Sequence, residues 1–142
     1  MACEPGELRA VAYKDGERIG EAVVRTAGPP ASIRLTPDRT ELAATGDDLC
    51  YVLAEAMDEK GTLCPLADDL VRFEVAGPAE IAGVGNGNPL SLEPFRADSR
   101  KLFHGKAMLI LRLREAAGGE VRVTASSGAL RPGETAMRLT RP

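Results

Sequence analysis

The sequence predicts an all-β protein, an antiparallel β-sandwich with an additional N-terminal β-hairpin. Three observations predict it. Short segments alternate apolar and polar residues with a period of two, the mark of a strand with one buried face. Val71, Phe73 and Val75 alternate with Arg72, Glu74 and Ala76; Leu109, Leu111 and Leu113 with Ile110, Arg112 and Arg114; Val121, Val123 and Ala125 with Arg122, Thr124 and Ser126. Fifteen glycines and ten prolines punctuate the chain at intervals of about ten residues, the spacing of turns in a sandwich. No window of a dozen residues carries the 3.6-residue stripe of an amphipathic helix.

Composition agrees with this class. The 142 residues are 44% hydrophobic and 27% charged with a net charge of −3, a globular balance rather than a disordered one. A chain of this length buries roughly two-thirds of its unfolded surface. Aromatics are 4% of residues with no Trp, so Val, Leu, Ile and Ala must build the core. The weakly acidic balance argues against nucleic acid as a partner. No apolar run approaches the roughly 20 residues of a membrane span. The opening segment lacks the basic-then-apolar order of a signal peptide, which leaves the compartment open.

Taken in order, Leu8–Tyr13 and Ile19–Arg25 are strands around Lys14-Asp15-Gly16-Glu17, where Asp-Gly is a strong hairpin turn. Gly28-Pro29-Pro30 follows as the boundary, since two prolines cannot donate to a ladder. It divides the chain into a hairpin unit at 1–28 and a sandwich domain at 29–142. Ser32–Thr36 and Glu41–Ala44 read as short edge pieces, the second also being the best helical candidate, though too short to stand alone. Asp48–Met57 is a longer strand, turned by Asp58-Glu59-Lys60-Gly61. Apolar Leu49, Tyr51, Leu53 and Met57 lie on one face of it and Cys50, Val52, Ala54 and Ala56 on the other. Either something covers the outer face, a neighbouring domain or the hairpin, or these are ordinary exposed apolar groups. Val71–Val75, Ala79–Val84, Ala107–Arg114, Glu120–Ser126 and Glu134–Thr140 complete the strands. Gly85–Gly105 is non-periodic and is expected to hold a connection crossing between sheets. The expected core includes Val52, Ala54, Val71, Phe73, Val75, Leu109, Leu111, Val121 and Val123.

Chemistry is sparse. Asp47-Asp48 and Asp68-Asp69 are sequence neighbours that alternation sends to opposite sides, which suits turns better than a hydrolytic acid pair. Asp58-Glu59-Lys60-Gly61 lacks the spaced ligands of a calcium loop. His104 is the only histidine, and nothing pairs it with Cys3, Cys50 or Cys64 as a nucleophile. The cysteines have no zinc spacing, and Cys50 and Cys64 are separated along a hairpin by about 15 Å, too far to bridge. No catalytic residue, metal ligand or cofactor is expected. Gly83-Val84-Gly85-Asn86-Gly87-Asn88-Pro89 is the most unusual string. It reads first as a structural corner with left-handed backbone. The other reading is a polar loop in which Asn86 and Asn88 touch a ligand or an adjacent domain.

Several strings carry a resemblance to a family. Gly6-Glu7-Leu8, Ala10-Val11-Ala12-Tyr13, Asp15-Gly16 and Thr26-Ala27-Gly28 resemble the end of an immunoglobulin-like domain in family 2 glycoside hydrolases of the β-galactosidase type. Ile33-Arg34-Leu35-Thr36-Pro37-Asp38-Arg39, Gly46-Asp47-Asp48-Leu49, Val75-Ala76-Gly77-Pro78, Gly83–Pro89 and Phe103-His104-Gly105-Lys106-Ala107 resemble the C-terminal domain that follows it. That domain is similar to the immunoglobulin-like modules of invasin-type adhesins. The resemblance implies an immunoglobulin-like sandwich acting as a non-catalytic accessory domain. The parent's catalytic glutamates would lie in an upstream barrel, so none maps onto this chain. The partners it implies are upstream domains of that parent, periplasmic or secreted parents remaining open. An adhesin-type module binding a protein is the alternative. A carbohydrate-binding module fits least, because only Tyr13 and Tyr51 could stack on a sugar. Cut from its sheet, the hairpin would expose unpaired edges, and pairing with the hairpin of a second chain, a homo-oligomer, is the expected outcome.

Overall fold

The structure is a computed structural model describing residues 7–14, 16–43, 48–115, 118–128 and 130–140, with the backbone alone for the first two strands. Its strands are β1 (Glu7–Lys14), β2 (Glu17–Arg25), β3 (Ser32–Pro37), β4 (Glu41–Ala43), β5 (Leu49–Met57), β6 (Leu70–Ala76), β7 (Ala79–Gly85), β8 (Ser99–Lys101), β9 (Lys106–Leu113), β10 (Gly119–Ser127) and β11 (Leu130–Thr140). Among the described residues there is no helix. The helical candidate is strand β4: Leu42 is buried and the ladder to β11 holds the backbone extended.

β1 and β2 form a two-stranded hairpin of their own, turned at Gly16 with φ 81°. The other nine strands form one continuous sheet folded into two layers. One layer runs β7-β9-β5-β3 and the other β11-β10-β6-β8, with β4 on the far part of β11. The inner faces are those the alternation marks. Val52, Ala54, Val71, Phe73, Leu109, Leu111, Val121 and Val123 are buried, and Val75 packs half-buried against them.

Two expectations change. The sandwich is not antiparallel throughout, because β11 runs parallel to β3 at Arg131–Ser32 and to β4 over Arg138–Thr140. The first strand leaves one layer after Pro37 and resumes in the other as β4, and this sheet switch lays first and last strands side by side in one direction. The stretch 86–105 contains an unexpected strand, β8, which pairs with β6 in the layer opposite β7 and β9. The chain therefore crosses between layers twice there.

The 28–30 junction is fastened rather than free. The Asp58 carboxylate accepts Gly28 N–H at 2.9 Å and, on its other oxygen, Lys60 N–H at 2.9 Å and Thr62 N–H at 2.8 Å. Ala31 N–H donates to Met57 O, and Arg131 N–H to Ala31 O. These donors, Gly28 first, hold the Asp58 carboxyl below its ordinary range. A depressed carboxylate pKa means the contribution is complete above the ordinary value and is lost as pH falls through the folded one. Asp58→Asn turns one acceptor into a donor. The Gly28 amide is expected to lose several-fold of its exchange protection in this variant at neutral pH, and the wild type to lose that protection only in acid, below about pH 4, each rate being taken relative to the intrinsic one at its own pH. An unchanged Gly28 exchange rate would dismiss Asp58 as the fastener.

Candidate functional site

The string Gly83–Pro89 ends β7 and opens a long loop, and its residues have separate jobs. Only Gly87 takes left-handed backbone, with φ 76°, so the expectation that all three glycines need it is corrected. Gly83 makes room for a ring: a Cβ there would push against the Phe95 side chain, which would have to swing aside. That ring covers β7 in the row Gly83–Ile110–Tyr51 on the outer face of its layer. Tyr51 of β5, two strands away from that ring, stays exposed.

Asn86 and Asn88 are brought together, and both hydrogen-bond within the loop. Asn86 Oδ1 accepts Asn88 N–H at 2.9 Å, and Asn88 Oδ1 accepts Leu90 N–H at 3.0 Å. These are consecutive side chain-to-backbone turns of the kind asparagine favours. Asn86 Nδ2 donates to Lys101 O at 2.8 Å, linking the end of β7 to β8.

The organiser of this region is Arg100, which the sequence did not single out. It is buried on β8. One guanidinium nitrogen donates to Val84 O and Pro94 O, each at 2.8 Å; the other donates to Ser91 Oγ at 3.1 Å and Glu93 O at 3.3 Å. Its Nε has no partner among the described residues. Phe95 O accepts Val84 N–H at 2.8 Å, and the Glu93 carboxylate accepts Lys101 N–H at 3.1 Å. Through Arg100 the two ends of the strand path, β7 and β8, are joined by a side chain instead of a ladder. An arginine in a non-periodic polar stretch gave no signal of this.

The remaining candidates are structural. Phe103 and Lys106 exchange both backbone bonds across His104 and Gly105, whose φ angles are 52° and 77°. Both central residues of this tight hairpin turn are left-handed. A Cβ on Gly105 would strike the Cys64 carbonyl at 2.3 Å. The His104 ring is exposed and packs against Phe103. Cys50 and Cys64 are free and buried. Burial and Asp38 push the Cys50 thiol up to about 12, and burial raises Cys64 as well, so both are neutral thiols rather than nucleophilic thiolates. Cys3 and Asp47 lie outside the described residues. Met57 pairs with Leu63, and Cys64 N–H bonds Ala56 O. Among the described residues the two buried carboxylates are engaged: Glu55 with Arg34 at 2.8 Å and Lys106 at 4.0 Å, Asp58 with backbone amides. Asp48 pairs with Arg39 on the surface. Among the described residues no group of three or more metal-ligating side chains comes together. No described helix is long and apolar enough to cross a membrane. What this arrangement can do is hold a shaped loop in place.

Residues 33–136 match the family described as glycoside hydrolase family 2 C-terminal domain 5. The chain belongs to that family. It is 48% identical over 128 residues to β-galactosidase BoGH2A of Bacteroides ovatus, covering 90% of this chain and 15% of that relative. A solved glycosyl hydrolase family 2 member from Bacteroides cellulosilyticus superimposes with a TM-score of 0.91 at 41% identity, over 96% of this chain and 18% of that one. The chain therefore spans under a fifth of the length of these relatives, as a C-terminal domain and not a catalytic one. The D00–D0 domain of intimin, 18% identical with a TM-score of 0.55, shares the fold.

Proposed function

We propose that the chain is a non-catalytic accessory domain of a family 2 glycoside hydrolase that cleaves O-glycosyl bonds, with a β-galactosidase-type parent. The observation that carries this is the family match over 33–136 together with the small share, 15%, that the chain takes of a β-galactosidase. Its arrangement is immunoglobulin-like. The spatial orders β3-β5-β9-β7 and β11-β10-β6 support this, being the ABED and GFC orders of that fold. β8 is an addition to the second layer. The adhesin-type alternative draws support only from a shared fold.

The hairpin at 1–28 is the end of a preceding immunoglobulin-like domain. Support comes from β1 and β2, which among the described residues ladder only with each other, and from the family match, which begins at residue 33, past the two prolines. Alone, such a hairpin is marginal and its edges are open to pairing. Deleting residues 1–28 should leave a folded sandwich and abolish any self-association of the 142-residue chain. A truncated chain that elutes at the same oligomeric size would remove the hairpin from that role.

The accessory assignment is tested by turnover. The purified chain is expected to release no aryl aglycone from aryl β-galactosides above buffer. The described buried acids are tied to cations or amides, whereas glycoside cleavage needs two carboxylates facing one bond. Activity that survives purification and disappears on replacing one acid of this chain would overturn the assignment.

A further inference from the structure

Strand register shows where the exposed apolar residues of the sandwich gather. β5 ends at Met57 opposite Ser32, where β3 begins, and Glu55 lies opposite Lys106, where β9 begins. β7 runs against β9 and leaves it at Gly85, opposite Met108. β6 begins at Leu70 opposite Lys101, where β8 ends. One end of the sandwich therefore carries the chain's arrival from β2 through Gly28, the Asp58 turn, the 63–69 segment and the 86–98 loop. Thr140, the end of β11, lies at the other end, beside Ala43 of β4.

Among the described residues, four of the six exposed large hydrophobics lie at or beside the arrival end. Leu92 is 99% exposed, Leu66 90%, Leu90 85% and Leu70 48%; Phe95 and Tyr51, in one row on the sheet face, are the other two. Leu90, Leu92 and Phe95 are presented by a loop whose backbone is fixed from within by Asn86, Asn88, Glu93 and buried Arg100. Holding apolar side chains outward on a braced loop costs solvation in an isolated domain, and such surfaces mark contact sites. A preset loop also loses little entropy on docking.

We infer that this end, centred on Leu66, Leu90 and Leu92, is a docking surface for the part of the same polypeptide that precedes the sandwich. This rests on the accessory-domain reading above. Two observations select that occupant. The polypeptide reaches the sandwich at this end, through a junction tied down by Asp58, so whatever precedes it is already delivered there. The relatives are long chains of which this one covers 15% and 18%, so ample chain is available to cover it. The contact is apolar, and tethering raises its effective concentration without further affinity.

Hydroxyl-radical footprinting reads the leucines directly. The samples are the 142-residue chain, at a concentration where it is monomeric, and the long polypeptide that contains it. Oxidation of Leu66, Leu90 and Leu92 is expected to fall several-fold in the long polypeptide, with Tyr51 unchanged. The double variant Leu90→Asp, Leu92→Asp in the long polypeptide should return Leu66 to the reactivity of the short chain. Equal oxidation in both proteins overturns the inference. So does protection of Tyr51 with the leucines unchanged, which moves the contact to the sheet face. Protection that appears in the short chain as its concentration rises overturns it in favour of a second copy. If the leucines are protected in a long polypeptide that turns over no aryl glycoside, the docking surface stands and the parental activity is what fails.

Discussion

Val123→Asp is expected to abolish cooperative folding of the sandwich. Val123 is fully buried in β10, between Thr135 of β11 and Val75 of β6, with its side chain in the space between the layers. A carboxylate there has no cation to pair with and loses its hydration, at a cost of several kcal/mol even after relaxation. A domain of this size has about 5–15 kcal/mol in total, and the lost packing of the valine adds to the deficit. The neighbouring Thr124→Lys is the control. Thr124 points to the opposite side of the same strand, half exposed, opposite Glu134 of β11 and Glu74 of β6, so a cation there meets opposite charge and the change should stay within roughly 0.5 kcal/mol. Urea melts followed by far-ultraviolet circular dichroism separate the two: a transition for Thr124→Lys and none for Val123→Asp. A cooperative melt of Val123→Asp at the wild-type midpoint would mean that the inner face has been assigned to the wrong side of β10.

Arg100→Leu is the second large effect, at about 3 kcal/mol of destabilisation. Replacing a buried charge by an apolar side chain is often neutral, because the desolvation penalty disappears along with the bonds. The outcome differs here because the acceptors belong to the backbone and remain. Val84 O, whose bond to the guanidinium is buried, is left unpaired at a cost of about 1–3 kcal/mol, and the part-buried Glu93 O and Pro94 O lose their partner as well. Arg100→Lys retains the charge without the planar fork that reaches several acceptors at once, and should recover only part of the loss. The damage should be local first: the Val84 amide, bonded to Phe95 O, should lose exchange protection before the core amides do. Wild-type stability and a protected Val84 amide in the Arg100→Leu variant would show that the loop holds itself.

How far the sequence carries can be judged residue by residue. Leu109, Leu111, Val121 and Val123 are buried as a period of two requires, because side-chain direction in a strand follows from pleat geometry alone. The Asp-Gly turn and the turn at Asp58 were legible for a similar reason, a local backbone need met by a specific residue type. Long-range consequences were not legible. β8 is three residues long, and its place depends on β6 and on Arg100, neither of which leaves a periodic trace. The parallel contact of β11 with β3 and β4 depends on a sheet switch after Pro37. Asp58 reads locally as a turn residue, yet one of its oxygens holds Gly28, thirty positions away. Gly83 is conspicuous in the sequence, but its reason, the Phe95 ring, exists only once the loop has folded back. Asn86 and Asn88 are conspicuous in the sequence, and the structure commits two of their polar contacts to the loop itself and a third to Lys101 of β8.

The central claim is that this domain takes part in a glycoside hydrolase without supplying its chemistry. Covalent labelling tests it most directly. A mechanism-based fluoroglycoside traps the nucleophilic carboxylate of a retaining glycosidase as a glycosyl ester. Applied to the long polypeptide and followed by peptide mapping, the label should fall on a carboxylate outside the 142 residues of this chain, with every peptide of the sandwich unmodified. A stoichiometric label on any Asp or Glu of this chain, lost together with activity when that residue is replaced by its amide, would contradict the account.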